Sequence, residues 1–422
     1  MAKEQGIRKN LAPFLWLVVN VLLVGLAVGI ERTVVPLLGK EVYHIGAWLT
    51  LSFIASFGLA KAPLNLVAGR WSDRVGRRPV LVIGWLLGLP MVGLLLWVHA
   101  WWAVVVANVF LGANQAFAWT MTITAQLDLA GPHQRGMAMG INEATGYLGV
   151  AAATWLTGDL AQRAGLTTAP FVVGAVVVIL GLGSSLLLIR DTLPWVTGES
   201  RAVPVGAAHQ TQRDHTAWES FVYTSFREPT LAAASWAGLT NKLADTVAWG
   251  AVPLFLAAQH LSVGAIATIS GSYAGAWGLC QFGTGPLSDR IGRKIPIVLG
   301  FVLLGAGFVA FTARSGMVAW ELMAVVSGVG MALLYPNLNS AVSDVAPADR
   351  RGSVLGVYRL WRDGGYLVGG IAVGGLLASV GAARTIFIMG ILVLVMAAVL
   401  MVRMRETHRT RNGIEELSRE SS

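Results

Sequence analysis

Charge is almost absent from twelve long stretches of this chain, at roughly 12–38, 46–69, 79–98, 101–126, 136–159, 168–190, 230–257, 263–286, 295–313, 316–343, 352–378 and 381–403. Helical segments of about 20 apolar residues match the hydrocarbon thickness of a bilayer. No water satisfies the backbone there, so a spanning segment must pair its own N–H and C=O groups, as an α-helix does. The pattern predicts an all-α membrane protein with twelve transmembrane helices. Composition agrees, since 55% hydrophobic against 13% charged residues leaves too little polar surface to cover a soluble domain of 422 residues. The first stretch follows Lys3, Arg8 and Lys9, as the apolar region of a signal peptide would. Its length and its counterpart in the seventh stretch, with Pro36 and Pro253 at near-equivalent places, predict a retained helix instead.

A net charge of +9 would suggest nucleic acid for a soluble protein, but here the basic residues sit in short loops between spans and no nucleic-acid partner is expected. Of 31 Lys and Arg residues, 22 fall on one side of the membrane, four on the other (Lys40, Arg163, Arg314, Arg384) and five within spans. The positive-inside rule then puts both termini in the cytoplasm, as expected of a multi-pass protein of a bacterial inner membrane. Residues 1–190 form one six-helix half, 191–229 a cytoplasmic linker, and 230–422 a second half with a cytoplasmic tail. In the linker Trp218, Phe221, Val222, Ser225 and Phe226 recur at helical spacing beside Arg213, Glu219 and Arg227. That leaves a short interfacial helix and a disordered connection both open. The one cysteine, Cys280, lies in an apolar span, so no intrachain disulfide, metal site or cofactor is expected.

The two halves repeat. Gly-Arg-Trp-Ser-Asp-Arg-Val-Gly-Arg-Arg at 69–78 returns as Gly-Pro-Leu-Ser-Asp-Arg-Ile-Gly-Arg-Lys at 285–294, 216 residues later. Asp128 lies 55 residues after Asp73, Asp344 lies 55 after Asp289, and Arg135-Gly136 and Arg351-Gly352 follow in the same register. In these residues the chain resembles the major facilitator superfamily, whose loop between the second and third helices carries Gly-x-x-x-Asp-Arg-x-Gly-Arg-Arg/Lys. The matches are Gly69, Asp73, Arg74, Gly76, Arg77 and Arg78, then Gly285, Asp289, Arg290, Gly292, Arg293 and Lys294. The resemblance covers nearly the whole chain and implies two pseudo-symmetric six-helix bundles that transport by alternating access. Independently of it, an Asp ending one helix can pair with an Arg starting the next and with Asp128 or Asp344 on the fourth helix of its half. Each such partly wet pair contributes about 1 kcal/mol, suited to a latch that opens every cycle. The plainer reading, that these charges only fix topology, leaves Asp73 and Asp128 unexplained.

Charges that are not repeated point to chemistry. Glu31, Arg32, Lys61, Glu143, Lys242, Asp245, Arg359, Arg362 and Asp363 fall inside spans, where each would cost roughly 2.5–3.5 kcal/mol facing lipid. The resemblance implies that the first, fourth, seventh and tenth helices line a central cavity while the second, fifth, eighth and eleventh meet between halves. Nearly all these charges fall on such helices. Lys242 with Asp245 and Arg359 with Asp363 have the spacing of one helix face, so static pairing within a helix and pairing across the halves are both open. Arg362 then needs a partner, and Glu143 is the expected one. Asn142-Glu143 with Gly146-Tyr147, and Arg362-Asp363 with Gly365-Tyr366, look like two versions of one site. Glu31 is the first choice for a proton carrier, because a carboxyl group in a weakly hydrated cavity can exchange protons near neutral pH, and Asp245 is the second. A Glu31 wetted at the outer end of its helix is the alternative. Gln115, Trp119 and Gln126 on the fourth helix, with Tyr335, Asn337 and Asn339 on the tenth, could grip a solute, although Trp119 also suits helix packing.

Other activities lack their residues. There is no His-Glu-x-x-His, no Gly-x-Ser-x-Gly and no Walker loop, so neither an enzyme nor an ATP-driven pump is expected. Drug–proton antiporters of the superfamily carry an Arg in the fourth helix shortly before a Gly, where Asn108 precedes Gly112 here, and a Gly-Pro step in the fifth that Gly140–Gly146 lacks. The mixed, slightly basic interior favours a small anionic or zwitterionic metabolite over a lipophilic cation. The expectation is a monomeric, proton-coupled secondary transporter of such a solute. Multidrug efflux by proton antiport is the alternative, and a non-transporting receptor or scaffold would have no reason to keep buried unpaired charge.

Overall fold

The computed structural model describes residues 4–200, 216–347 and 350–407, and no strand occurs among them. Twelve membrane-length helical paths follow in chain order: α1 Leu11–Val42, α2 Ala47–Val75, α3 Arg77–Trp97, α4 Trp101–Ala130, α5 Arg135–Ala164, α6 Ala169–Leu187, α7 over 229–258, α8 Val263–Ile291, α9 Lys294–Ala313 and α10 Met317–Val345. The last two, α11 and α12, form a continuous run Arg351–Arg403 that turns at Gly381, whose φ of 80° suits glycine. Length and hydropathy alone select eight helices, counting that run once and leaving out α5, α7 and α8. These three bury polar side chains against protein instead of presenting them to lipid, among them Asn142 and Thr154 on α5, Asn241 and Lys242 on α7, and Gln281 and Ser288 on α8. Large apolar residues such as Ile179, Leu187, Val395 and Val402 are exposed on the outer surface, as a lipid-facing belt requires.

Within the first half α1 packs on α5 and α2 on α4; within the second α7 packs on α11 and α8 on α10. The halves meet along α5 against α8 and α2 against α11. Small residues let these backbones touch, which in a bilayer replaces the missing hydrophobic drive between helices. A methyl group at Gly25 would stand 1.9 Å from the Gly146 carbonyl oxygen, and one at Gly149 would stand 2.4 Å from that of Leu22. Gly365, 216 positions after Gly149, would meet the Leu239 carbonyl oxygen at 2.6 Å, so both halves cross these helices by the same device.

In the linker a helix Ala217–Val222, capped reciprocally by Thr216 and Glu219, continues into a π turn Tyr223–Arg227. Helical spacing over 218–226 thus corresponds to helix, with Phe221 stacked 6.0 Å from Trp361 of α11 and Trp218 exposed. Arg213 lies outside the described residues.

Gly25→Ala must push α1 off α5. Such overpacking costs about 1–3 kcal/mol, and the midpoint of thermal unfolding in detergent should fall by a few degrees. Gly183→Ala, whose added methyl meets open space, should leave it unchanged; equal midpoints for the two variants would contradict the crossing.

Candidate functional site

Between the halves lies a cavity of about 640 Å³. Its walls come from α2, α4 and α5 on one side and α8, α10 and α11 on the other, with Lys61, Trp119, Glu143, Tyr335, Arg359 and Arg362 among the lining side chains. It extends to Gly136 and Met137 and to Gly285, Asp289 and Arg293, and so opens on the face that carries the two repeated basic loops. At the opposite face the halves are in contact. The Gly264 N–H donates to Gln162 Oε1 at 2.7 Å, and the Trp155 indole N–H donates to the Thr268 carbonyl at 3.2 Å. A methyl at Gly158 would fall 2.0 Å from the Ala267 Cβ.

No residue of α1 or α7 lines the cavity. These helices close on each other beyond its inner end, through Asp245 of α7. Arg32 of α1 grips that carboxylate with both terminal nitrogens, at 2.8 and 3.2 Å. Tyr366 donates to it at 2.5 Å, Tyr273 at 3.3 Å, and the Lys242 ammonium stands 3.7 Å away. Lys242 also sits 4.7 Å from the centre of the Tyr335 ring and 4.9 Å from that of Trp277. A second buried carboxylate, Asp363 of α11, accepts two bonds from Arg362 at 2.9 and 3.0 Å and one from Asn65 of α2 at 2.6 Å. Asn65 in turn accepts from Thr120 of α4 at 3.1 Å. Both acids are therefore tied across the halves, Asp245 to α1 and Asp363 to α2.

The repeated loops work inside each half. Arg77 reaches Asp73 at 2.6 Å, Asp128 at 3.0 Å and Ser72 at 3.0 Å, which fastens the ends of α2, α3 and α4 together. Thr192 adds a 2.8 Å bond to Asp128. In the second copy Arg293 reaches Asp289 at 2.7 Å and Asp344 at 3.5 Å. Gly76 and Gly292 take φ of 102° and 91°, where added methyl groups would strike the carboxylates of Asp191 and Glu406. Those acids cap the next helix: Asp191 accepts from the Arg78 N–H at 3.1 Å, and Glu406 from the Arg293 and Lys294 N–H groups at 2.8 and 3.1 Å. Among the described residues no ion pair of these loops crosses between the halves.

The sequence profile described as Major Facilitator Superfamily matches residues 17–241 and again 234–420. The chain belongs to the major facilitator superfamily. It is 25% identical over 391 residues to the uncharacterized MFS-type transporter STM4428 of Salmonella typhimurium, covering 90% of this chain and 94% of that one. To the uncharacterized MFS-type transporter Rv1250 of Mycobacterium tuberculosis it is 29% identical over 162 residues, but it spans only 28% of that relative. A 136-residue segment, 32% of this chain and 34% of the relative, is 24% identical to the quinolone resistance protein NorA of Staphylococcus aureus. Among solved structures, a nucleoside transporter, NupG, superposes with a TM-score of 0.72 at 15% identity over 93% of this chain and all of its own. A POT family transporter in complex with 5-aminolevulinic acid superposes at 0.69 and 13% over 92% of this chain and 95% of its own. The chain is thus an integral, multi-pass membrane transporter of the superfamily for a small solute.

Within the superfamily fold the charges singled out from sequence divide into two groups. Lys61, Glu143, Arg359 and Arg362 line the cavity, with Trp119 beside them. Glu31, Arg32, Lys242, Asp245 and Asp363 are buried outside its walls. Gln115 is buried too, donating to the Val24 carbonyl of α1, and so packs helices. Three expected relations differ. Arg359 does not pair with Asp363, which Arg362 and Asn65 already occupy. Arg362 does not meet Glu143, whose Oε1 accepts from the Trp119 indole at 3.0 Å. The first and seventh helices do not line the cavity, because the Arg32–Asp245 pair holds them shut. Glu31 is neither in the cavity nor at a wet helix end: it is 1% exposed and neither carboxylate oxygen makes a hydrogen bond. Asn65 and Tyr273 were missed, since uncharged polar residues in apolar spans are common and only contact distinguishes these, while Tyr366, noted beside Arg362-Asp363, is found bonded to Asp245 of α7 instead.

Removing one partner of a buried pair leaves the other charge unmatched, at about 3–5 kcal/mol. Arg32→Ala should therefore lower the midpoint of thermal unfolding markedly, and the double change Arg32→Met with Asp245→Leu should regain most of the loss. A double variant no more stable than Arg32→Ala would mean that the pair is not what joins α1 to α7.

Proposed function

We propose that this transporter carries a small anionic or zwitterionic solute by alternating access, coupled to protons. It would act in a bacterial cytoplasmic membrane, with both termini and the cavity mouth on the cytoplasmic side, where the basic loops belong by the positive-inside rule. The observation that carries the reading is the charge left over on the cavity wall: Lys61 and Arg359 line it without an ion-pair partner among the described residues. Two such cations facing a partly dehydrated space favour a negatively charged guest.

Proton coupling rests on Glu31. Both its oxygens are buried without a hydrogen-bond partner, and Asn108 of α4, close to it, donates its amide nitrogen to the Val104 carbonyl at 3.0 Å. A buried carboxylate with no partner is costly as an anion, so a proton on Glu31 would relieve that cost. Glu31 adjoins Arg32, so its occupancy bears directly on the latch that closes the opposite face. Drug efflux is the second reading, favoured by the aromatic cavity wall of Trp119, Tyr147 and Tyr335 and by the segment similar to NorA.

Thermal-shift screening of the purified protein against metabolites and drugs identifies ligands, since any solute that prefers the folded site raises apparent stability. A lipophilic cation binding in preference to every anion would favour the second reading. In proteoliposomes, Glu31→Gln should abolish transport driven by an imposed pH gradient while sparing exchange of solute against solute. Full gradient-driven transport by that variant would remove Glu31 from the coupling. Asp73→Asn should lower turnover severalfold with solute affinity preserved, because the loop pairs lie within one half and each contributes only about 1 kcal/mol; unchanged turnover would reduce the loop to a topology signal.

A further inference from the structure

The helices α5 and α11 begin at equivalent arginines, Arg135 and Arg351, 216 positions apart. Glu143 and Arg359 are likewise 216 apart, so these two, and not Glu143 and Asp363 as the neighbouring Gly-Tyr steps suggested, occupy the same turn of symmetry-related helices and face one cavity from opposite halves. The same register relates two other lining pairs, Trp119 with Tyr335 and Asn65 with Gln281. The cavity therefore straddles the pseudo-twofold axis, and at the Glu143 and Arg359 level one half presents an acid where the other presents a base.

Neither charge is satisfied by the protein. Glu143 is 7% exposed; one carboxylate oxygen is held by Trp119, and the other, Oε2, has no hydrogen-bond partner. Arg359 makes no hydrogen bond or ion pair among the described residues, and neither does Lys61, which sits over the Phe57, Trp119 and Tyr366 rings at 5.2 to 5.9 Å. Of the other buried charges in the spans, Asp363 is matched by Arg362 and Asp245 by Arg32, while the unpartnered Glu31 lies outside the cavity wall. Among the described residues, the charged groups of the cavity wall without an ion-pair partner are thus one acid, Glu143, and two cations: Lys61 shares the Trp119 ring with Glu143, and Arg359 faces them from the other half, with Tyr147 and Tyr335 on the same wall.

We propose that the cavity takes a zwitterion across the pseudo-twofold axis, the solute ammonium at the Glu143 carboxylate and the solute carboxylate at Arg359. This rests on the reading of the cavity as the solute site and narrows it. Charge-assisted bonds form at both ends, and a guest lacking either end leaves a dehydrated protein charge unmatched. The Trp119, Tyr147 and Tyr335 rings on the same wall accept an apolar carbon chain or ring.

The test uses the purified full-length protein in detergent, with glycine, the ω-amino acids up to 6-aminohexanoate and L-phenylalanine as zwitterions. The matched carboxylates and amines lacking the other end serve as comparisons. Affinity is read from tryptophan fluorescence and from thermal shift. At least one zwitterion should bind about 10- to 100-fold more tightly than both of its single-ended analogues. Glu143→Gln should bring that zwitterion down to the affinity of its carboxylate analogue, and Arg359→Gln should bring it down to that of its amine. The two variants act on opposite ends, so either one that folds suffices. Carboxylates binding as well as the zwitterions would overturn the two-ended site and leave the anion reading standing. Amines binding best, or no probe of any class binding, would overturn both.

Discussion

Asp245 holds the molecule in the shape described. Taking a carboxylate and a guanidinium out of water is costly, and attraction between them offsets the cost only when the remaining hydrogen-bonding capacity is also met. Here Arg32, Tyr366, Tyr273 and Lys242 surround one carboxylate and meet it. The pair joins the first helix of one half to the first helix of the other. With α1 and α7 closed on each other, the walls of the cavity fall to α2, α4, α5, α8, α10 and α11, and its mouth is left at the loop face alone. In the alternating-access cycle proposed for this chain, the converse state would need this cluster to come apart.

The repeat and its exceptions carry different duties. Gly149 and Gly365 bring helix backbones into contact in both halves, and Arg77 and Arg293 gather the helix ends in both, though the second cluster is looser. Equivalent parts make equivalent bundles, which is what a rocking motion about a shared axis needs. At the level of Glu143 and Arg359 the repeat breaks in charge while keeping its position. If the cavity is the solute site proposed above, a guest bound on the axis would meet opposite charges from the two halves of a symmetric scaffold.

Much of the fold was legible because hydrocarbon imposes a one-dimensional rule: about 20 apolar residues, then a loop. Hydropathy failed to select α5, α7 and α8 for a physical reason, since these helices bury Glu143, Lys242 and Gln281 against protein and the rule assumes lipid. The site was legible only as an inventory. Spacing along one helix pointed to Arg359 with Asp363, yet Arg362 and Asn65 hold that acid, and Asn65 stands 298 positions away from it. Glu143 pointed to Arg362, yet a tryptophan on the neighbouring α4 holds one of its oxygens. No local pattern encodes which of several nearby charges wins a contact, because the choice depends on the angle at which packed helices present them.

The sequence by itself determined the all-helical membrane class, the duplication, the family and the set of charges that lipid could not accept. Each follows from local composition or from register, and neither depends on how helices pack. Only the tertiary structure decided that α1 and α7 meet through Arg32 and Asp245, that the cavity opens at the loop face, and that Lys61, Glu143 and Arg359 are left unmatched on its wall. Those outcomes are set by distances between residues remote in the chain, such as the 2.8 Å between Arg32 and Asp245, which spacing along one helix does not encode.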